Sequence, residues 1–513
     1  MLPLALVWPA GLISPEPAPI IQSVEIVVRD VFEDEQGEAE FWPYALANRL
    51  HLRTRKRVIE RELLFRSGDP LDEEAVAQTE RNLRSLPFLR DVEVDILETA
   101  FAGRVRIRVV ASDSWTTVPE VRLAKVGNEW IWALGASEKN FLGYGKHLQV
   151  LRAADLDREQ TLVFYGDPRL GGSRFRLSTL VSDASDGHEL SVFAERPFFA
   201  LDTLWSFRFG VEDFDRLDPL YDEGERVQEL RHQRGFGELA AARSIYRSPD
   251  RAVRFHFGYQ RSTDDVDADR RQFGVLQLGV TTVRHAFLKM THVNRFEKAE
   301  DFNLGNEAGA FFGVSTELLG GEPGTPYFFY LSEKAGVSLG QEGFLTGLLS
   351  WRGRHRNGAI ENSIARARFD LVRKWSPRVV MLMKGDFLYG TRLDPEVQLR
   401  LGAESGLKGY PVRQFNGNRS LHLAAEARWF LADDIARLVS LGVAAFAESG
   451  YAWPEDRPIA IHDLSSDIGV SLLLGFSRAS AARPGVRVDF AYALTPLEGR
   501  GRWLVSAGSR IGL

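Results

Sequence analysis

The chain contains no cysteine, which excludes disulfides, thiolate nucleophiles and cysteine-ligated metals. It also has no apolar run near the roughly 20 residues that a membrane-spanning helix needs. A basic excess is missing too. Its 64 Lys and Arg stand against 70 Asp and Glu, a net charge of -6, and this argues against a nucleic-acid partner. No low-complexity tract and no repeat of solenoid period is present. The ten histidines are scattered, none at His-Glu-x-x-His spacing, and neither a nucleophile elbow nor a phosphate-cradling glycine loop occurs. Gly143-Tyr144-Gly145 follows no Rossmann pattern and reads as a turn. The expectation is a protein that is not an enzyme, with no catalytic residues, no metal ligands and no cofactor.

What is present points to β-structure. Forty-six glycines with 11% aromatic residues suit an all-β chain with many turns, and 513 residues leave room for more than one domain. Charges of both signs are intermixed, as in a folded chain. At the start, Leu2–Ile13 is apolar and a Pro-rich stretch follows it. Residues 1–19 therefore read as a signal peptide cleaved near Ala18, or as an N-terminal tail.

Residues 20–118 mix two periods. Ser23–Phe32 alternates as a strand does, and residues 42–54 repeat apolar positions at helical spacing. A short helix follows over Val58–Leu64. Asp72 is placed to cap another, with Ala75, Val76, Thr79, Leu83 and Leu86 on one face and Pro87 as its stop. Val92, Val94 and Ile96, then Val105, Ile107 and Val109 after the turn at Ala102-Gly103, make two more strands. The order gives a small α+β domain.

Residues 119–513 show alternation instead. On Ala252–Tyr259, Val253, Phe255 and Phe257 point one way and Arg254, His256 and Gly258 the other. A soluble sandwich would turn the apolar face inward, and an outer-membrane barrel would turn it to lipid. The charged face suits either a wet lumen or a solvated surface, so the alternation leaves this open. Length favours the barrel: roughly 390 residues make about sixteen strands at about 24 residues per strand and connection. The raw tally of candidate strands is somewhat higher, and the excess is assigned either to hairpins within outer loops or to single strands split in the tally. Arg216–Glu229, Asp264–Arg271 and Glu297–Asn306 read as extracellular loops, and Trp130, Trp132, Trp429, Trp453 and Trp503 as an interfacial girdle.

The stretch Gly406–Arg419 is rich in turn-formers and cations, and a strand carrying Glu426 follows it. It resembles the inward-folded loop of the BamA/TamA-type outer-membrane assembly barrels (the bacterial surface antigen family), with Lys408, Gly409 and Tyr410 as its tip. Asn140–Gly145 resembles the turn after the first barrel strand of that family. Phe446–Trp453, with Gly450, resembles its strand motif with Glu448 in place of Asp, and Arg487–Tyr492, with Asp489, resembles its penultimate strand. Val58–Leu63, Gly68-Asp69, Asn82-Leu83 and Phe88–Val92 are similar to a single POTRA domain, the module attached to such barrels. The resemblance implies a lumenal pair of Lys408 with Glu448, with Glu426 as a second acid. Lys in place of the usual Arg keeps the charge and loses the planar fork.

The resemblance further implies an outer-membrane location with the N-terminal domain in the periplasm, and a role in inserting or translocating other proteins. Unfolded clients would add to the sheet edge of the POTRA-like domain. They would also pair at a seam between a first strand near Trp130–Ser137 and a last strand at Trp503–Ile511. Partners would be outer-membrane lipid, such clients and assembly-machinery subunits, with no nucleic acid. The alternatives are a two-partner secretion transporter, which usually carries two POTRA domains and a plug helix, and a passive porin or structural barrel.

Overall fold

The computed structural model describes residues 18–33, 42, 45, 48–49, 51–126, 128–267, 269–478, 485–497 and 501–508. Residues 1–17 of the expected signal segment 1–19 lie outside the described residues. Of the expected helix at 42–54, Trp42, Ala45, Asn48 and Arg49 are helical and His51–Thr54 are not, while residues 43, 44, 46, 47 and 50 lie outside the described residues.

The N-terminal unit orders β1 (Ile20–Arg29), α1 (Lys56–Glu60), α2 (Glu73–Arg84), β2 (Leu89–Glu98) and β3 (Arg104–Asp113). The sheet runs β1-β3-β2, with β1 parallel and β2 antiparallel to the central β3. Asp72 starts α2 because its carboxylate accepts from the backbone N–H of Glu74 (3.0 Å) and Ala75 (3.2 Å), two donors with no partner inside the helix. Leu83 and Ile59 from the helices meet Phe88, Ile107 and Val109 in one small core.

Among the described residues, twenty strands then form a closed barrel, from β4 (Thr117–Val126) and β5 (Glu129–Phe141) round to Trp503–Gly508, which lies beside β4. Each described ladder joins strands consecutive around the wall, antiparallel throughout, as in the pairing of β4 with β5. The expected sixteen is thus corrected to twenty, in line with the raw tally. The connections are far shorter than the assumed spacing. Ser185-Asp186 alone join Arg176–Ala184 to Gly187–Arg196, and Glu223-Gly224 alone join Trp205–Asp222 to Glu225–Arg247. In the latter turn both residues have positive φ (49° and 82°), the geometry that folds two-residue hairpins. The expected first strand, Trp130–Ser137, is part of β5, and β4 precedes it.

The alternation resolves in favour of the lipid-facing sense. On the strand Arg419–Ile435, Leu423, Ala425, Trp429 and Leu431 are exposed outside, while Ser420, His422, Glu426 and Arg428 are buried inside. On Ser465–Phe476, Ile468, Val470 and Leu472 face out, and Asp467 and Ser471 face in. Charge inside and hydrocarbon outside is the barrel pattern, and among the described residues no second sheet of comparable size stacks on this wall to make a sandwich core. No helix among the described residues is long and apolar enough to cross a membrane.

One rim, here the near rim, carries the N-terminal unit. There the β5 turn docks on the segment before α1. Arg55 N–H donates to the Gly143 carbonyl (3.0 Å), and Asn140 donates to the Thr54 hydroxyl (2.8 Å). Gly143 has φ +75°, and a Cβ there would stand 2.4 Å from the Arg53 carbonyl oxygen, so the contact requires glycine. Arg216–Glu229 and Asp264–Arg271 lie at the far rim, as the tips of long strands. Glu297–Asn306, in contrast, belongs to a near-rim hairpin beside α2, because an odd number of barrel strands separates it from those tips. Trp453, expected in the girdle, is buried inside (5% exposed), while Trp130, Trp429 and Trp503 are exposed outside.

Candidate functional site: the loop within the lumen

Between the strands Val379–Thr391 and Arg419–Ile435 the chain turns back into the barrel. Leu399–Leu401 pairs antiparallel with Phe415–Gly417, making a short neck that carries the tip inward. Leu407 and Tyr410, both fully buried, pack with Phe415 against Leu401, Ala452 and Ala493. The Tyr410 hydroxyl lies 2.9 and 3.0 Å from the carbonyl oxygens of Ser466 and Thr495. Gly450 leaves room for this neck, since a Cβ there would stand 2.9 Å from the Leu401 side chain and 2.5 Å from the Leu421 carbonyl.

Glu448 holds Lys408 twice. One carboxylate oxygen pairs with Nζ, and the other accepts the Lys408 backbone N–H at 3.1 Å. Lysine lacks the two-pronged fork of arginine, and here the backbone supplies the second prong. The Lys408 ammonium also lies 4.7 Å from the centroid of the Phe446 ring, a cation–π contact. Asp467, paired across the strands from Glu448, accepts the Gly409 N–H at 2.8 Å. A Cβ on Gly409 would come within 2.7 Å of the Asp467 Cβ, so the tip has no room for a side chain at that position.

Glu426 does not meet the tip. It pairs with Arg428 on its own strand and with Arg487 at 2.8 Å, and Arg487 also donates to Asp489 at 2.6 Å. The second acid under the tip is Asp467, which carried no motif to single it out. Its only sequence signal is its place on the inward face of an alternating strand. Asp489 accepts from Ser471 as well (2.6 Å), so every charged member of this set has a partner, as burial demands.

The rest of the loop spans the far rim. Arg413, held at φ +55°, pairs with Asp157 (2.6 Å) and lies 4.3 Å over the Tyr221 ring. Val412 N–H donates to Asn128 at 3.3 Å. Asp394 takes two bonds from Arg354 (2.9 Å for the longer) and a third from Arg271. These partners sit at widely separated strand ends, so the loop ties the wall together across its mouth. The chemistry of the site is that of a clamp. Among the described residues no group of His, Asp and Glu is placed to hold a metal.

A closed sheet with hydrocarbon outside, charge inside and a loop clamped in its lumen is the architecture of an outer-membrane β-barrel, and the chain resembles the BamA/TamA-type barrels. Among solved structures it is similar to BamA from Haemophilus ducreyi lacking POTRA domains 1–3, at 12% identity over 95% of this chain and 84% of that one, with a TM-score of 0.42. CdiB from Escherichia coli matches at 12% identity over 95% and 76%, with a TM-score of 0.46. CdiB from Acinetobacter baumannii matches at 11% over 95% and 73%, with a TM-score of 0.41. No protein-family profile and no curated protein matches the sequence.

Proposed function

We propose that this protein assists the insertion or translocation of other proteins at the bacterial outer membrane, with the N-terminal unit acting as a POTRA-like domain in the periplasm. The observation that carries this reading is the loop clamped inside the lumen by Lys408 and Glu448. A loop tied across the mouth by buried ion pairs narrows a passive pore, and it suits a machine that opens only when engaged. Unfolded clients would meet the N-terminal sheet first. Its order leaves β1 and β2 as edges, and the end of β2 from Asp95 to Glu98 is largely exposed, with backbone groups free for strand addition. The seam beside β4 is the second station in this reading. Its two sides are β4 and Trp503–Gly508.

Depletion of the protein should lower the folded amounts of other outer-membrane proteins, read by their heat-dependent migration on gels. The Lys408→Ala variant should reach the membrane yet fail to restore them. Ion conductance with no change in any other outer-membrane protein would establish the porin reading instead. Full activity of Lys408→Ala would remove the clamp from the mechanism.

A further inference from the structure

A second segment enters the barrel, from the near rim. In the hairpin His285–Asn306, Phe287–Met290 pairs with Glu300–Asn303, and the connection between them carries Val293 and Phe296 against the inner wall. Val293 is fully buried, and the Phe296 ring meets Phe430 edge-on at 5.1 Å. From above, the fully buried Arg428 donates to the Val293 carbonyl at 2.6 Å. From below, α2 grips the hairpin. Arg84 places two N–H groups on the two oxygens of Asp301, both at 2.9 Å, and the Arg81 guanidinium lies 4.4 Å over the Phe287 ring.

The contacts do not stop there. Arg428 and Arg487 share Glu426, and Arg487 lies 5.7 Å from the same Phe446 ring that supports Lys408. As the hairpin begins to lift, before water can enter, Arg428 loses a carbonyl acceptor. One of its nitrogens has no acceptor among the described residues and the other two bond Val293 and Glu426, so Glu426 is the bonded partner left to it. Drawing Glu426 toward Arg428 loosens Arg487, and with it the ring beneath the loop tip. We propose that the hairpin is a second plug held by α2, and that its release is coupled to release of the far-rim loop through Arg428, Glu426 and Arg487. A load on the N-terminal unit would then reach Lys408 without touching it. The inference rests on the closed barrel and its buried contacts, and stands apart from any client activity.

The test uses the full chain folded in detergent. Because the protein has no cysteine, V293C and L407C each provide a single buried thiol, one per plug. Maleimide should label both slowly. Arg84→Ala should speed labelling at V293C and also at L407C, the latter by about fivefold or more, the low end of ordinary coupling between sites. Asp301→Asn should act in the same way, and the swap of Arg84→Asp with Asp301→Arg should restore slow labelling. Heat-dependent migration reports folding of each variant independently of the labelling. An unchanged rate at V293C in both single variants overturns the grip by α2. A faster V293C with an unchanged L407C overturns the coupling.

Discussion

The two segments that fill the barrel are held by different balances of force. The far-rim loop adds to its small apolar cluster a set of ion pairs: Lys408 to Glu448, Arg413 to Asp157, and Asp394 between Arg271 and Arg354. The near-rim hairpin rests more on hydrocarbon, with Met290, Val293 and Phe296 packed on Phe430 and Leu473, and polar links from Arg428, Asp433 and Arg84 at its edges. Ion pairs in a dry site resist partial separation, since a charge drawn from its partner is left without solvent. Apolar contacts give way in proportion to the area exposed. The loop is therefore expected to open in one step, and the hairpin to loosen at its apolar contacts before it is released.

The sharpest test of that contrast removes one partner of the clamp. Lys408→Ala leaves Glu448, whose side chain is only 1% exposed, without its counter-charge, and the loop should lose about 3–5 kcal/mol of protection against opening. The double variant Lys408→Met with Glu448→Leu should recover most of this, because no charge is then stranded. Hydrogen exchange at the backbone of Leu407–Val412 reads both. If the single and double variants open equally, the loop is held by packing and the contrast with the hairpin is void.

A smaller effect is expected on the other side. Val293→Ala removes two methyl groups from a fully buried position and should cost about 2 kcal/mol at the hairpin, read as faster exchange over residues 291–297. Val293→Thr, which restores the shape with one hydroxyl in place of a methyl, should lie close to Ala if apolar contact is what holds the hairpin. A Thr variant as stable as Val would mean that shape alone is sufficient.

The sequence makes some of this legible and hides the rest for identifiable reasons. Alternation over residues 119–513 predicts strands well, because each inward position meets a lumen and each outward one meets hydrocarbon. Its polarity stayed ambiguous, since period 2 has the same form in a sandwich. The strand number was distorted by a fixed length per strand. Two-residue turns such as Glu223-Gly224 contain so little chain that a wall of twenty fits where sixteen was expected. Lys408 and Glu448 came together only through resemblance, as forty residues separate them and nothing local links them. The linkage of Arg428 and Arg487 through Glu426 is out of reach of the sequence, because their partners come from different strands and from the near-rim hairpin, and Asp467 is out of reach because its partner is the loop tip. The hairpin itself was read as an outer loop, its polar residues Glu297–Asn306 masking the apolar Val293 and Phe296 just before them.

The last prediction concerns the ground on which the hairpin's grip stands. Asp113, at the end of β3, is fully buried where the N-terminal unit meets the barrel. It accepts the Thr54 N–H at 2.8 Å and faces His51 at 3.8 Å, while Asp30 approaches the same histidine at 3.3 Å and pairs outward with Arg53. Burial pushes the Asp113 carboxyl up to about 6 from its ordinary 3.8, with the Asp30 charge adding to the rise and the Thr54 and His51 contacts opposing it. The folded chain thus holds this proton more tightly than the unfolded one. Its contribution to stability is complete below about pH 4 and is lost as the pH rises through about 6. Asp113→Asn removes the titration. The variant should match the wild type near pH 4 and gain on it between pH 4 and 6, reaching about 3 kcal/mol at pH 7, which is the rise in the Asp113 pKa converted at about 1.4 kcal/mol per unit. The comparison of ends gives the readout. Exchange over the N-terminal unit and residues 285–306 should follow this profile, while exchange at Leu407–Val412 should change only as far as the coupling transmits it. A gap of the same size at both ends would mean that the two segments open as one body.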